Sequence, residues 1–184
     1  MKLNLGCGQN KVEGYVNVDR AHDPDQKVDL EAFPWPWADS SVEMIRAHHI
    51  LEHLGKDTEV FIGVMKEIYR VCKNGAKVEI VVPHPRHDDF MNDPTHVRPI
   101  TLNVLALFSK KWNEKWVEDG SANTKLALEH GIDLEPISEA IQLDPHIQAA
   151  HDARPIPEEV MKQLIRERNN IVKSLFITLQ VNKE

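Results

Sequence analysis

Leu3-Asn4-Leu5-Gly6-Cys7-Gly8-Gln9-Asn10, "LNLGCGQN", decides how the rest of the chain is read. A short apolar run breaks at once into Gly-Cys-Gly. This reads as a strand, Lys2 to Leu5, stopped by Gly6. Glycine permits backbone geometry and close approach that a Cβ forbids, so such a turn presents its N–H groups to a ligand. An isolated Gly-x-Gly is also an ordinary tight turn, and only the residues after Asn10 can choose between the two.

Those residues alternate between short strands and helical crossovers. "GYVNVD", Gly14 to Asp19, alternates and ends on an acid, as a second strand. Val28 to Leu30 reads as a third, very short one, and Val42 to Ala47 as a fourth. The Pro-rich "FPWPWADSS" between them is loop, because each proline removes a donor and restricts its predecessor. Asp57 is placed to cap a helix whose apolar face runs Phe61, Val64, Met65, Ile68 and Cys72, with Asn74-Gly75 as its left-handed stop. "KVEIVV", Lys77 to Val82, is a β-branched run suited to burial on both faces of a parallel sheet. Beyond it, Thr101 begins a helix through about Trp116, and another spans Asn123 to His130 before Gly131. Pro136 to Leu143 reads as a strand. Pro157 to Asn170 is a helix with Val160, Leu164 and Ile165 inward, and Ser174 to Val181 is the last strand. This order specifies an α/β fold with a mainly parallel sheet. The strand–helix–strand ending leaves room for an antiparallel last strand.

The chain has 184 residues, a formal net charge of -7 and 28% charged residues. That length suits one domain. The acidic balance argues against a broad nucleic-acid surface, which runs on Lys and Arg. Two cysteines, Cys7 and Cys72, are too few for a disulfide scaffold. No apolar segment resembles a signal peptide or a membrane span, so a cytoplasmic protein is expected.

Asp19 turns the glycine turn into a candidate site. An acid at the end of the second strand can accept both hydroxyls of a ribose. Asp29-Leu30 comes at the end of the next element, where a carboxylate can take an exocyclic adenine amine while Leu packs on the ring. The alternative is that both acids are simply polar strand ends.

"LNLGCGQ", "VNVD", "VDLEAFPW", "SSVEMIRAHHILEHL" and "EIYRVCKNGAKVEIVVP" together resemble class I S-adenosylmethionine-dependent methyltransferases, most closely the small predicted methyltransferases with an LEHL motif. The resemblance covers about residues 1 to 98. It implies a Rossmann-like domain over 1–184, with a seven-stranded sheet and an antiparallel last strand. The cofactor half would be about 1–98 and the substrate half 99–184. It implies that Gly6, Cys7 and Gly8 line the methionine and ribose part of S-adenosyl-L-methionine, that Asp19 takes the ribose, and that Asp29 with Leu30 takes the adenine. Ala47 and His48 would face the methionyl end. The sequence departs from the family pattern at Asn4, where an Asp is usual, and at Asn10, where a third glycine is usual. Gly8 to Val16 leaves no room for a full crossover helix, so the first crossover is truncated.

Ten histidines remain, six of them between His48 and His96. His49 and His53, four apart, can share a helical face and bind zinc with a third ligand. The family resemblance instead gives Glu52 and His53 an orienting role. "PHPRHDDFMNDPTHVRP", Pro83 to Pro99, concentrates titratable groups at the C-terminal end of a buried strand, where open α/β sheets put ligands. It reads as an active-site loop or as a solvated loop with capping acids; a metal site from His84, His87 and Asp93 or His96 is a further alternative. The favoured expectation has no resident metal. In it, His49, His87 and His96 are catalytic candidates for taking a proton from the acceptor, neutral His being suited to that near pH 7. His84, Asp93 and Arg98 would bind the acceptor, Arg98 through an anionic group or by pairing with Asp93.

The expected function is methyl transfer to a small-molecule or sugar-like acceptor. The alternative is a cofactor-binding module of the same fold that has lost activity and serves as a partner or regulator. A nucleic-acid acceptor is disfavoured, because "AHHI" stands after the fourth strand where an NPPY-like sequence is absent. No membrane partner is expected. The oligomeric state stays open between monomer and homodimer, with Trp116 and the last helix as contacts.

Overall fold

The computed structural model describes residues 1–183. Its seven strands are β1 (Lys2–Leu5), β2 (Val16–Asp19), β3 (Gln26–Lys27), β4 (Val42–His48), β5 (Cys72–Pro83), β6 (Leu134–Leu143) and β7 (Val172–Val181). They form one sheet in the order β3-β2-β1-β4-β5-β7-β6. The five strands from β3 to β5 are parallel; β7 is antiparallel to both β5 and β6. This is the expected α/β architecture with a reversed last strand. The order turns direction at β1, with β2 and β3 to one side and β4 onward to the other, and the crevice above such a reversal is where open α/β sheets take ligands.

No helix joins β1 to β2. The backbone is held instead by Asn side chains. Asn4 Nδ2 donates to Asn17 Oδ1 (2.9 Å) and to Asn10 O (3.0 Å), and Asn17 Nδ2 donates to Asp25 Oδ2 (2.7 Å). Asn4 and Asn17 are buried, and such polar groups are tolerated there only because they are paired. Asn4 thus fastens the loop to two strands from the position where the family pattern has Asp.

α1 (Thr58–Val71) buries Phe61, Val64, Met65, Ile68 and Val71. Each fully buried side chain of this kind contributes roughly 1.5–3 kcal/mol over its exposed state. Beside α1, the buried carboxylate of Glu67 receives Arg70 through two nitrogens, Nε and Nη2, both at 2.7 Å, and Trp35 N at 2.6 Å. Trp35 and Trp37 are buried, edge to face with centroids 5.7 Å apart. The remaining helices are α2 (Asp88–Met91), α3 (Leu102–Ala106), α4 (Lys110–Glu118), α5 (Leu126–His130), α6 (Pro145–Ala153) and α7 (Glu158–Glu167).

Several local expectations are corrected. The third strand is Gln26–Lys27; Val28 only adds its N–H to Asp19 O at 3.0 Å, and the chain turns from Asp29, whose carbonyl accepts Ala32 N at 3.2 Å. Asp57 stands at the helix N-cap without a side-chain bond to the first turn. Asn74-Gly75 does not end α1: the chain passes directly from Val71 into β5, and Gly75, at φ +78°, lies where the register jumps from Val42↔Cys72 to Met44↔Lys77. The single helix from Thr101 is two, broken between Leu107 and Ser109, because buried Asn113 donates to the carbonyls of Ala106 and Leu107. Val160, expected inward, is exposed, while Leu164 and Ile165 are partly buried.

Candidate functional site

β1 ends at Gly6, whose φ is +64°. A Cβ there would lie 2.5 Å from Ile50 Cγ1 and 2.7 Å from Ile50 Cβ, so both conformation and space require glycine. Gly8, at φ +50°, instead has nothing within 4 Å of where a Cβ would stand. Cys7 between them is buried and donates its N–H to Val18 O at 3.0 Å. Burial first, then the negative charges of Asp19 and Asp25, pushes its thiol pKa up.

Two clefts open from this turn, and Gly6 lines both. The first, about 240 Å3, runs along the ends of β2 and β3 and includes Asp19, Asp29, Leu30 and Ile50. The Asp19 carboxylate faces it while accepting Gly8 N on Oδ2 and Ala21 N on Oδ1, both at 2.8 Å. A carboxylate has about four lone-pair positions, so each oxygen keeps capacity for one more donor. Asp29 is exposed; its Oδ1 accepts Glu31 N at 2.9 Å. Leu30 is buried, and its carbonyl accepts Trp35 Nε1 at 3.1 Å.

The second cleft, about 450 Å3, runs over the ends of β4, β5 and β7 and includes Cys7, Gly8, Arg46, His48, His49 and Phe176. His48 Nδ1 lies 2.9 Å from Arg46 Nη2, so that nitrogen accepts. Burial, then the charge of Arg46, then His49, lowers its pKa to about 4, and the ring is neutral at physiological pH. His49 comes next at φ +53°, a strained conformation for a residue with a Cβ, with its side chain exposed. Ala47 is wholly buried in β4.

The His-rich loop lies differently. His84 Nδ1 accepts Arg86 N at 3.2 Å; burial, then Arg86, then His87, lowers the pKa of its ring. Buried His87 caps α2 by accepting Asp89 N on Nδ1, and its Nε2 stands 3.2 Å from Asp144 Oδ2. Asp93 accepts both the N–H and the hydroxyl of Thr95, bonds that lower its pKa. His96 stacks on Phe90, and Arg98 donates to Gly55 O at 2.8 Å while lying over the Phe61 ring. Among the described residues, His84, His87, Asp93, His96 and Arg98 line neither cleft, although Thr95 and His53 line the first. Glu52, His53 and His96 come together beside it.

Arg46, Ile50, Glu31, Thr95 and Phe176 line the clefts and carry no role in the sequence reading. Ile50 has one legible signal, its place just past β4 opposite a glycine turn. Phe176 has none, because only the insertion of β7 beside β5 brings it there.

No family model and no curated protein matches the chain. Solved structures do. An S-adenosylmethionine-dependent methyltransferase from Archaeoglobus fulgidus is similar over 97% of this chain and 85% of its own, with TM-score 0.55 and 17% identity. A methyltransferase from Methanosarcina mazei described in the same terms is similar over 99% and 92%, with TM-score 0.53 and 14% identity. The [4+2]-cyclase SpnF is similar over all of this chain and 75% of its own, with TM-score 0.55 and 13% identity. At these identities the likeness is one of architecture: the chain carries the Rossmann-like α/β fold of the S-adenosylmethionine-dependent methyltransferases.

Proposed function

We propose that this protein binds S-adenosyl-L-methionine across the two clefts and transfers its methyl group to a small-molecule or sugar-like acceptor. The observation that carries the reading is the Asp19 carboxylate, bonded to Gly8 N across the turn and facing the first cleft with acceptor capacity to spare. Ribose hydroxyls are the donors such a group takes. Asp29 then stands for the adenine amine and Leu30 for its ring face. The open space over Gly8, with Gly6 and Cys7 beside it, suits the passage from ribose to methionine. His48 closes the methionyl end, with Ala47 buried in the strand behind it and lining neither cleft.

When bound, the sulfonium cofactor supplies an electrophilic methyl group. The chain's own work is to orient the acceptor and exclude water. Of the three histidines considered for proton removal, we assign the role to His49, whose exposed ring lines the second cleft. The bonds of His87 and His96 suit them to shaping the loop, together with His84, Asp93 and Arg98. A cyclase among the fold's relatives shows that fold alone does not dictate the reaction. Incubation with methyl-labelled cofactor and a panel of hydroxyl and amine acceptors tests the reading. Label in an acceptor, lost in His49→Ala, is expected; cofactor binding with no transfer to any acceptor points to the non-catalytic module.

A further inference from the structure

Beyond methyl transfer, and independently of it, we propose that Glu52, His53 and His96 form a binding site for a first-row divalent transition-metal ion. Glu52 and His53 lie on the 3-10 turn Leu51–His53 just after β4. His96 comes from the distant loop, which is fastened to that turn by Val97 N to Glu52 O at 2.9 Å. One ligand atom from each of the three lies within 4.8 Å of the other two.

The hydrogen bonds around the cluster leave it rich in acceptors. His96 Nδ1 is 2.9 Å from the Phe90 carbonyl, which can only accept, so Nδ1 carries a hydrogen and the neutral ring offers Nε2, which also stands 3.8 Å from Asp93 Oδ2. The Thr95 hydroxyl gives its proton to Asp93 Oδ1 at 2.6 Å, so it accepts from His53 Nδ1 at 3.0 Å. In the neutral ring His53 Nε2 is likewise free to accept. Holding Nδ1–H on an oxygen is how proteins fix the tautomer and ring orientation of metal-binding histidines. The third member completes the pattern. The Glu52 side chain is 1% exposed, and neither carboxylate oxygen has a hydrogen-bond partner. The closest basic atom is His49 Nδ1, at 3.5 Å from Oε1. A buried carboxylate without a partner is costly. A proton on Glu52 answers one acceptor; a cation answers all three.

The donor set selects the cation. Two imidazoles and a carboxylate suit zinc, iron, cobalt or manganese and leave a coordination position open, whereas magnesium and calcium take oxygen ligands. Ligand atoms around a tetrahedral zinc stand about 3.4 Å apart, from metal–ligand distances of about 2.0–2.1 Å, so closure asks for side-chain rotation. His53 lines the first cleft, and Glu52 and His96 stand beside it.

The test uses the full chain without a histidine tag, stripped with chelator and titrated with Co2+. A single equivalent is expected to bind below about 10 μM and develop visible d–d absorbance. Glu52→Gln and His96→Ala should each weaken binding at least about tenfold and abolish that band, while His130→Ala changes neither. The stripped Glu52→Gln protein should melt at or above the stripped parent, since it removes an unpartnered buried charge, and Zn2+ should raise the melting temperature of the parent alone. If Glu52→Gln fails to fold, His96→Ala decides. Absence of Co2+ binding up to millimolar concentration, or binding and spectra equal in parent and His96→Ala, overturns the proposal. Neither outcome bears on nucleoside binding, which titration with adenosylhomocysteine reads separately.

Discussion

The backbone N–H of Gly8 donates to Asp19 Oδ2 at 2.8 Å, tying the turn after β1 to the end of β2. One residue thereby does two things: its carboxylate holds the turn that replaces a crossover helix, and it faces the cleft with lone pairs to spare. Asp19→Asn keeps the shape and removes the charge. Charge-assisted hydrogen bonds contribute about 1.5–3 kcal/mol, so the substitution should weaken adenosylhomocysteine binding by roughly 10- to 100-fold. A ligand-dependent rise in melting temperature that is equal in the parent and Asp19→Asn proteins would count against the ribose assignment.

Gly6→Ala should destabilise the protein by about 2 kcal/mol or more, because the new Cβ meets Ile50 and the residue must hold φ +64°. Urea unfolding checks the magnitude. Combining it with Ile50→Ala tests the contact: the double substitution removes the Ile50 Cγ1 that the new Cβ would meet at 2.5 Å but keeps the Ile50 Cβ at 2.7 Å, so it should recover only part of the loss and the two effects should not be additive.

The Arg70–Glu67 pair gives a pH dependence with a defined sign. Hydrogen bonds from Arg70, then Trp35 N, hold the Glu67 carboxyl below its usual range. A depressed folded pKa means that its stabilisation is present above the ordinary glutamate value and is lost as pH falls through the folded one. Acid denaturation of Glu67→Gln should therefore show a shallower loss of stability below pH ~4.5 than the parent. Glu67→Ala should cost about 1–3 kcal/mol at neutral pH, because it leaves the buried Trp35 N–H without its acceptor, while Arg70 keeps Asp39 at 2.6 Å and the carbonyls of Trp35 and Trp37.

His48 should stay neutral well below the range of an ordinary histidine, with burial as the first cause and Arg46 as the second. Its carbon-bound ring protons, followed by NMR, should not titrate between pH 8 and pH ~5.5 and should move near pH 4. Arg46→Ala should raise that midpoint by removing the neighbouring charge. A midpoint near 6.5 in the parent would mean that the ring is solvated.

Much of this architecture is legible in the residues. β1, β2, β4, the apolar face of α1 and the buried core of β5 all carry strong local patterns, and they fix the parallel half of the sheet. The acids at the ends of the early elements point to the first cleft because strand ends are local features. The illegible parts depend on tertiary choice. Asn74-Gly75 has the sequence of a helix stop, yet sheet pairing captures the chain at Cys72 and uses Gly75 for an irregularity. Asp144-Pro145 is a helix start that the strand pattern before it obscures; Asp144 accepts His146 N and opens α6. The histidines are the hardest to read. Their density marks a special region, but whether each nitrogen faces a cleft or bonds its own loop is decided by partners far away in sequence, as Asp144 is for His87 and Glu52 for the loop at Val97.

The most direct measurement is isothermal titration of the parent protein with adenosylhomocysteine and, separately, with adenosine. Binding of the first at one site per chain, with the second weaker but competing for that site, is the predicted result. No heat from either ligand up to millimolar concentration, with the protein folded, would contradict the claim that the Gly6–Gly8 turn, Asp19 and Asp29 grip a nucleoside.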